Sequence, residues 1–355
     1  MLLLIILAIF TLKLINSSLM KIGIIGFGYW GTNLVRNFAN ISGATLEAVA
    51  DSRIEKADNL KKFSSTARFF RSADDILRDP GIDAVVIATP VYTHYEIALD
   101  ALNHDKHVLI EKPMASTSEQ ATRLIELAEK KNKVLMVDHT YLYTGAVQKM
   151  KELVDNGHLG RLEYLDSTRI NLGLFQPDIN VLWDLAPHDL SILNYLVKEK
   201  PFSVQAAGVS HTKNSIENIA YLNVNFESGF NAHFSCSWTS PVKIRMLLLG
   251  GDRKMLVFND LEPTEKLKIY DTGYEHKTTD EEKKQIMVDY RTGDIFIPKL
   301  STQEALSSMA ADFITSMKTG KKPVSDFNLG LNVLKVLEAS QDSIKNKGRE
   351  VEIKY

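Results

Sequence analysis

Three side chains of the sequence could hold or exchange a proton at a small-molecule site. Lys112 is the centre of the triplet Glu111-Lys112-Pro113, and Asp184 and His188 are four residues apart. Imidazole titrates near neutrality, so His188 is a candidate general acid or base. Residues four apart share one face of a helix, although Pro187 predicts a helix break or a new start between them. A histidine satisfied within the core and an exposed loop lysine are the alternative interpretations.

A glycine-rich segment, Lys21–Gly31 with the sequence KIGIIGFGYWG, could supply the binding half of such a site. Its aliphatic run is typical of a buried parallel strand. Gly26 then permits a tight turn, Gly28 removes a side chain where a pyrophosphate approaches the backbone, and Gly31 lets the next helix pack closely. This pattern predicts a strand, a phosphate-binding loop and a helix.

The helix that begins at Tyr29 and Trp30 would direct free N–H groups and a partial positive charge at the phosphates. Asp51 ends the next apolar run, about 20 residues beyond the glycines, where a carboxylate can accept hydrogen bonds from both adenosine ribose hydroxyls. The combination predicts dinucleotide binding. The charge of Asp51 repels a 2′-phosphate and favours NAD over NADP, but Arg53 lies close enough to keep NADP possible.

Further strand patterns at Ala84–Ala88, His107–Ile110 and Val134–Asp138 alternate with helical patterns and predict a doubly wound parallel sheet. Loops at the carboxyl ends of such strands line the cofactor crevice. The residues expected there are Thr89, Pro90, His94, Glu111 and Lys112. His94 could equally be a surface or capping residue. An amine beside an oxidised nicotinamide has its cationic form disfavoured, which brings its proton within reach of catalysis.

The second half of the chain shows alternating apolar and polar residues in successive strand-like segments, which predict an antiparallel sheet. These segments are Leu162–Ile170, Phe202–His211, Asn218–Phe226, Phe230–Trp238, Ile244–Gly250 and Lys254–Phe258. Helical patterns follow at 301–318 and 328–346. The predicted fold is therefore α/β plus α+β: a Rossmann domain at 20–140, then a domain at 141–355 with a large, mostly antiparallel open sheet.

The glycine loop, Asp51, the triplet Ala88-Thr89-Pro90 and the triplet Glu111-Lys112-Pro113 resemble the glucose-fructose oxidoreductase, inositol dehydrogenase and rhizopine-catabolism family, often called Gfo/Idh/MocA. The resemblance covers nearly the whole chain from Met20 onward. It implies that the open sheet carries the substrate site on one side and a subunit interface on the other, as in a homodimer or homotetramer. It also implies that the C-terminal helices pack back near the nucleotide domain.

The same resemblance assigns roles to the candidate residues. Lys112 would hydrogen-bond the reacting oxygen, His188 would exchange the proton of a substrate hydroxyl, and Asp184 would bind a neighbouring hydroxyl and orient His188. Tyr141 would face the substrate, although packing is an equal alternative. Asp189 is expected to be a structural hydrogen-bond partner.

These roles imply an NAD(P)-dependent oxidoreductase that transfers a hydride between the nicotinamide and a secondary alcohol or ketone of a sugar. Residues 290–294 resemble a segment of relatives that act on sugar nucleotides, which favours a UDP-sugar of the amino-sugar uronate type. The alternatives are a free-sugar or inositol dehydrogenase, a sugar–sugar oxidoreductase with tightly bound cofactor, and a non-catalytic NAD-binding regulator.

Composition narrows the class of protein. The 355 residues carry a net charge of −2 and no basic block, so nothing indicates a nucleic-acid surface. One cysteine, Cys236, excludes an intrachain disulfide and fits a reducing, cytoplasmic compartment. The histidines show no metal-ligand spacing, so no metal is expected. The charged run 281–284 is expected in a solvated loop or hairpin.

The first nineteen residues are apolar and precede a second methionine, Met20. The uninterrupted apolar part, Leu2–Leu12, is short of the roughly 20 residues that a membrane span needs, and it lacks the basic start of a secretory signal. Residues 1–19 are therefore interpreted as an over-extended start or, alternatively, as an apolar leader. No stable membrane span is expected.

Overall fold

The computed structural model describes residues 19–213, 215–271, 273–276 and 288–355, with the backbone alone at 273–276 and 288–290. Residues 1–18 of the predicted leader and the charged run 281–284 lie outside the described residues. The described chain divides into two compact units. The first extends to Thr140 and includes Glu304–Leu331, and the second comprises Tyr141–Gln303 and Asn332–Tyr355.

Within the described residues, the first unit is built on a parallel sheet of six strands in the order β3-β2-β1-β4-β5-β6. The strands are β1 Met20–Ile25, β2 Ala44–Ala50, β3 Arg68–Phe70, β4 Ala84–Ile87, β5 His107–Glu111 and β6 Leu135–Asp138. Every residue of β4 and β6 is buried, as expected of parallel strands covered on both faces. The predicted doubly wound Rossmann sheet is confirmed.

Helices of the first unit cover this sheet. They are α1 Tyr29–Phe38, α2 Ala57–Leu60, α3 Asp74–Leu77, α4 His94–Asn103, α5 Ser118–Lys130 and α8 Ala305–Thr319. The first helix buries Leu34, Val35 and Phe38, which follow the three- and four-residue spacing of one helix face. The fifth is capped by Thr117, whose side chain accepts a hydrogen bond from the Gln120 N–H at 3.2 Å.

A segment far along the sequence completes the first unit. Glu304 accepts hydrogen bonds from Arg36 and thereby ties the start of α8 to α1. Residues 324–326 run beside the edge strand β6, where the Val137 N–H donates to the Ser325 carbonyl at 3.2 Å. Covering an edge strand in this way satisfies backbone groups that would otherwise lack partners. Helix α9, Phe327–Lys345, begins in this unit and ends in the second.

The second unit contains, among the described residues, a sheet of nine strands in the order β16-β13-β12-β11-β7-β10-β9-β8-β17. Its strands are β7 Leu162–Leu172, β8 Ser203–Val209, β9 Ile219–Asn225, β10 Asn231–Ser237, β11 Thr239–Gly251, β12 Met255–Asn259, β13 Leu267–Tyr270, β16 Ile295–Phe296 and β17 Val351–Glu352. A separate antiparallel pair joins β14 Gly273–His276 to β15 Val288–Arg291. Strands β7 and β10 pair in parallel and the other neighbours pair antiparallel, so the predicted mostly antiparallel sheet is confirmed.

One face of this sheet packs into the core. Ala220, Leu222 and Val224 are buried at alternate positions of β9, and Phe234 and Cys236 are buried on β10. Burial raises the pKa of the Cys236 thiol, which leaves it a small packing residue rather than a nucleophile.

Two helices complete the second unit: α6, Gly145–Asp155, and α7, Val181–Leu196. The predicted break at Pro187 is wrong, because α7 continues through this proline. Proline removes one intrahelical hydrogen bond, but the buried residues Ala186 and Leu190 hold both sides of it in the core. Tertiary packing therefore outweighs the local preference.

No helix in the described part of the chain is long and apolar enough to cross a membrane. The same residues contain no cluster of three or more histidine, cysteine, aspartate or glutamate side chains arranged to hold a metal ion.

Candidate active site

A cavity of about 690 Å³ opens in the first unit at the carboxyl ends of β1, β2 and β4. In a doubly wound sheet this edge is where dinucleotides bind. Six of the predicted cofactor residues line it: Gly26, Gly28, Asp51, Arg53, Thr89 and Pro90. Arg71 and Tyr92, which the sequence did not single out, also line the cavity.

The three glycines of the loop have different roles. Gly26 has φ +98°, and a Cβ there would lie 2.4 Å from the Ala88 carbonyl oxygen. A Cβ on Gly31 would lie 2.0 Å from the Gly26 oxygen, so both positions are closed by the fold itself. A Cβ on Gly28 would meet a single atom within 4 Å, on Arg53 at 3.9 Å. The open space at Gly28 therefore fits the close approach of a pyrophosphate.

The start of α1 offers backbone donors rather than side chains. Its N-cap residue is Gly28, which has no side chain to bond the first N–H groups of the helix. Tyr29 is 88% exposed and Trp30 38% exposed, and their rings stack on each other with centroids 6.2 Å apart. The start of a helix directs its backbone N–H groups outward, and the predicted contribution of these two residues to cofactor binding stays a prediction.

Asp51 lines the cavity, and hydrogen bonds fix the position of its carboxylate. It is 8% exposed, accepts from the Phe27 N–H at 2.8 Å, and forms a two-point ion pair with Arg53 whose Nε and Nη2 lie 2.8 Å from its oxygens. Burial alone would raise the pKa of Asp51, but these donors outweigh burial and lower the pKa to about 2. The carboxylate is therefore ionised, which is the form that can only accept hydrogen bonds.

His94 lies behind the cavity rather than at its surface. It is 1% exposed, and its ring nitrogens lie 2.9 Å from the Pro113 carbonyl oxygen and 2.8 Å from that of Thr89. Burial lowers the pKa of His94 against the opposing effect of these carbonyls. The structure thus makes His94 a link between the loops after β4 and β5, and neither a surface residue nor a direct cofactor contact.

Glu111 is the last residue of β5, and Lys112 follows it. Lys112 is half-buried and is joined to Pro113 by a cis peptide bond. Glu111 is 6% exposed and is the register partner of Asp138, which ends β6. Glu111 does not line the cavity, and the predicted contact of its side chain with the cofactor stays a prediction.

The second unit holds Asp184 and His188 on the first half of α7. Asn180 caps this helix, because its side chain accepts from the N–H groups of Leu182 and Trp183 at 3.1 and 3.2 Å. Since the helix is continuous, Asp184 and His188 lie one turn apart on the same face.

Each of these two side chains has an aromatic neighbour. The Trp238 indole N–H donates to Asp184 at 3.0 Å, and the Tyr141 ring lies beside the His188 ring with centroids 5.2 Å apart. These contacts restrict the orientations of the carboxylate and the imidazole.

Tyr141 itself is the centre of a polar network that the sequence did not reveal. Its hydroxyl donates to Asp260 at 2.9 Å and accepts from Arg169 at 3.1 Å and from Arg245 at 3.2 Å. Arg169 also binds Asp189 through two hydrogen bonds of 2.8 and 2.7 Å. The hydroxyl of Tyr141 is therefore engaged by protein groups, and the predicted substrate contact is left to its ring. Asp189 is a structural partner, as expected.

The alternating pattern of strand β7 contains a sequence signal for part of this network. Arg169 occupies a position of β7 whose neighbours Leu165 and Ser167, at alternate residues, are buried. A charged residue on the buried face of an alternating strand requires a partner of opposite charge. The sequence could thus have indicated that Arg169 is paired, but not with which carboxylate.

Family models identify both halves of the chain. A model described as an oxidoreductase family with an NAD-binding Rossmann fold matches residues 20–139. A model of the GFO/IDH/MocA C-terminal domain matches residues 147–256. Together the matches cover well over half of the 355 residues.

Individual curated relatives match only about half of the chain, at modest sequence identity. A UDP-N-acetylglucosamine 3-dehydrogenase of Acidithiobacillus ferrooxidans is 34% identical over 194 residues, which are 54% of this chain and 58% of that protein. A myo-inositol 2-dehydrogenase of Thermotoga maritima is 27% identical over 194 residues, 53% of this chain and 58% of that protein. The matched segment thus spans little more than half the length of these curated relatives.

Solved structures match over more of the chain. The structure of the Acidithiobacillus ferrooxidans UDP-N-acetylglucosamine 3-dehydrogenase superposes with a TM-score of 0.76 at 26% identity and covers 93% of this chain and 99% of that one. An oxidoreductase from Magnetospirillum magnetotacticum gives 0.77 at 27% identity, with 91% and 99% covered. With both family domains matched, this chain belongs to the Gfo/Idh/MocA oxidoreductases, and residues 20–139 are its NAD-binding Rossmann domain.

Proposed function

We propose that this protein is an NAD-dependent dehydrogenase that interconverts a secondary alcohol and a ketone on a sugar or polyol. The observation that carries the proposal is the uninterrupted helix α7, which presents Asp184 and His188 on one face, each beside an aromatic ring. The ionised Asp51 in the cavity of the first unit supplies the complementary cofactor site.

Each residue has one task in the proposed reaction. NAD supplies the hydride acceptor, and the protein has to hold it and manage the hydroxyl proton. Asp51 accepts hydrogen bonds from the adenosine ribose hydroxyls, and the amides at the start of α1 bind the pyrophosphate.

His188 takes the proton of the reacting hydroxyl as the carbon–hydrogen bond breaks. Asp184 binds a neighbouring hydroxyl and keeps His188 oriented. Lys112 hydrogen-bonds the reacting oxygen, where it stabilises the negative charge that develops as the proton leaves.

For the substrate, we infer a nucleotide-linked sugar, with a UDP-amino-sugar uronate as the preferred candidate. The support comes from the UDP-N-acetylglucosamine 3-dehydrogenase, which is both a 34% identical relative and a structural neighbour. A free inositol is the second candidate, because several relatives at 27–31% identity are named inositol dehydrogenases.

A homodimer or homotetramer in the cytoplasm is part of the same proposal. The polar face of the second sheet exposes aromatic residues, with Tyr164 41% and Tyr221 51% exposed, which suits contact with a second copy. Size-exclusion chromatography with light scattering would test the subunit number.

Nicotinamide absorbance with a panel of UDP-sugars, free sugars and inositols tests the activity. His188→Ala should lower kcat about 100-fold or more for whichever substrate reacts, because the proton acceptor is lost. His158→Ala is the matched control, since His158 is an exposed histidine of the same unit.

Unchanged activity in His188→Ala would remove the proton-transfer role. A reaction with free polyols alone would exclude the nucleotide-sugar substrate. NAD binding without turnover of any substrate would favour a regulator, and bound cofactor that cycles without exchange would favour a sugar–sugar oxidoreductase.

A further inference from the structure

Three charged side chains line the cavity of the first unit, and two of them are cations. Among the described residues they are Asp51, Arg53 and Arg71. Arginine keeps its proton at accessible pH, so with Asp51 ionised the three groups sum to one positive charge. This surplus of positive charge in a cleft favours an anionic group of the ligand.

Arg71 lies beside Asp51 because the strands before them are paired. Strand β3 ends at Phe70 and β2 at Ala50, which are register partners, and the Asp51 N–H donates to the Phe70 carbonyl at 3.1 Å. Asp51 and Arg71 are the next residues of these two strands. Neighbouring strands are about 4.8 Å apart, so β3 lies about 10 Å from β1, with β2 between them. Arg71 therefore belongs to the ribose end of the cavity and not to the glycine loop that follows β1.

The carboxylate of Asp51 already has a full set of donors. It accepts from the Phe27 N–H at 2.8 Å, from the Arg53 N–H at 3.0 Å, and from Arg53 Nε and Nη2 at 2.8 Å each. A carboxylate offers about four lone-pair sites, so these donors fill them. The Arg53 side chain is 52% exposed, and ribose hydroxyls can displace it into solvent. In either position its charge offsets that of Asp51 and weakens the repulsion of a 2′-phosphate.

Arg71 differs from the other arginines of the first unit in having no carboxylate partner. It is exposed, and its side chain forms no hydrogen bond or ion pair with any residue that the structure describes. Each of the other five forms an ion pair with an aspartate or glutamate: Arg36, Arg53, Arg68, Arg78 and Arg123. The one arginine without a protein anion is thus an arginine that lines the cofactor cavity.

The chemistry of a guanidinium indicates which part of a dinucleotide it would meet. Its planar fork binds phosphate through two hydrogen bonds. The pyrophosphate of a dinucleotide lies at the start of the helix after β1, whereas the adenosine ribose lies at the end of β2. A phosphate beside that ribose is what distinguishes NADP from NAD.

We propose that Arg71 binds the 2′-phosphate of NADP(H), so that this protein accepts NADP(H) as well as NAD(H) in the same cavity. Arg53 offsets the charge of Asp51, and Arg71 supplies the cation that faces the phosphate. The inference rests on the proposed function for the place of the cofactor in the cavity, but it is tested without any sugar.

The test titrates NADH and NADPH separately into native protein and into Arg71→Met, with binding followed by the fluorescence of the reduced nicotinamide. NADPH affinity should fall about 10-fold or more in the variant, because a charge-assisted contact with the 2′-phosphate is lost. NADH affinity should change by less than about twofold, since NADH has no 2′-phosphate. Arg78→Met is the matched control, because Arg78 is an exposed arginine of the same unit outside the cavity wall. It should bind both cofactors as native protein does.

Competition with adenosine phosphates separates the 2′-phosphate from the rest of the cofactor. Adenosine 2′,5′-bisphosphate should displace NADH from native protein at a lower concentration than adenosine 5′-monophosphate does. Arg71→Met should remove that advantage. Arg71→Lys should keep part of it, because an ammonium retains the charge without the planar fork.

Equal losses of NADH and NADPH affinity in Arg71→Met would overturn the inference, since they would assign Arg71 to a part that both cofactors share. Native protein without a preference for the bisphosphate over the monophosphate would overturn it as well, and that measurement needs no variant to fold. Binding of both cofactors as expected, without turnover of any sugar or polyol, would instead count against the proposed function alone.

Discussion

Two sites in this protein bury carboxyl groups, and they differ in what compensates the loss of water around the charge. Asp189, in the second unit, is 4% exposed and is bound by two nitrogens of Arg169, itself 4% exposed. Glu111 and Asp138, in the first unit, are equally buried and are register partners at the ends of β5 and β6. Asp189 is paired with a fixed cation, whereas burial raises the pKa of Glu111 well above its ordinary value and favours its protonated form. The partner that the fold supplies, rather than the depth of burial, decides whether a carboxyl group keeps its charge.

The difference matters for what each site can do. A guanidinium does not lose its proton at accessible pH, so the Arg169–Asp189 pair is a permanent part of the scaffold around Tyr141. A carboxyl group with a raised pKa can gain or lose its proton, so Glu111 responds to the charge of its surroundings. The group that can change its charge thus lies at the end of β5, and the permanent ion pair lies beside Tyr141.

The largest effect is expected from Arg169→Met, which leaves Asp189 buried without its cation. Such a change typically costs about 3–5 kcal/mol of unfolding free energy. Urea unfolding followed by the fluorescence of Trp183 and Trp238, both in the second unit, would measure the loss. The double variant Arg169→Met with Asp189→Leu should recover much of it, because no unpaired charge remains. A loss below about 1 kcal/mol in the single variant would contradict a rigid, charged pair.

A smaller effect is expected at Asp51, a buried carboxylate whose cation partner is half exposed. Asp51→Asn keeps the size of the side chain but removes its charge, so hydrogen bonds to the ribose hydroxyls lose about 1.5–3 kcal/mol, or about 10- to 150-fold in kcat/KM for NAD. Activity with NADP should fall less, because the repulsion of a 2′-phosphate disappears. Steady-state kinetics with both cofactors measures the ratio, and equal losses with the two would contradict ribose recognition by Asp51.

The raised pKa of Glu111 predicts an unusual pH dependence of stability. The pKa of Glu111 is raised on folding, so the folded protein retains a proton that the unfolded chain releases above its ordinary pKa of about 4.3. Native stability should therefore fall as pH rises from there towards the folded pKa, by up to about 1.4 kcal/mol per pH unit. Glu111→Gln lacks this proton, so its thermal midpoint should gain on that of native protein as pH increases. Parallel pH profiles would exclude a raised pKa at Glu111.

Asp51, in the same unit, is expected to change stability with pH in the opposite direction. Its pKa is lowered to about 2 on folding, so its contribution is present above the unfolded value of about 3.9 and is lost as pH falls towards 2. Glu111→Gln should therefore alter the stability profile on the neutral side and leave the acid limb unchanged.

Local sequence signals were sufficient for the first unit. The apolar run predicted at Ala84–Ala88 is observed as β4, Ala84–Ile87, because a strand buried on both faces is recognisable without knowledge of its partners. The strands that the sequence missed include β16 and β17, of two residues each. They form by pairing with β13 and β8, so their existence depends on distant segments rather than on their own composition.

The residues of the candidate site also fall into those that a local sequence pattern identifies and those that only the fold brings together. Gly26, Gly28 and Asp51 were identified because their spacing along the chain is itself the signal. Tyr141 and Asp260 are 119 residues apart and meet through the fold, so no local pattern joins them. The Glu111–Asp138 pair is an intermediate case, since both acids end strands that a doubly wound sheet places side by side, and the sequence would have revealed it had the two ends been compared.

The smallest effect is expected from Arg53→Met, which is the exposed counterpart of Arg169→Met. The Arg53 side chain is 52% exposed and that of Arg169 5%, although both bind an aspartate through two nitrogens. Water can replace Arg53 as a partner of Asp51, so the unfolding free energy should change by less than about 1 kcal/mol. Activity with NADP should fall further than activity with NAD, because the guanidinium that offsets the 2′-phosphate charge is lost. If Arg53→Met instead destabilises the protein as much as Arg169→Met does, exposure is not what separates these two ion pairs, and the strength of each would have to come from its geometry.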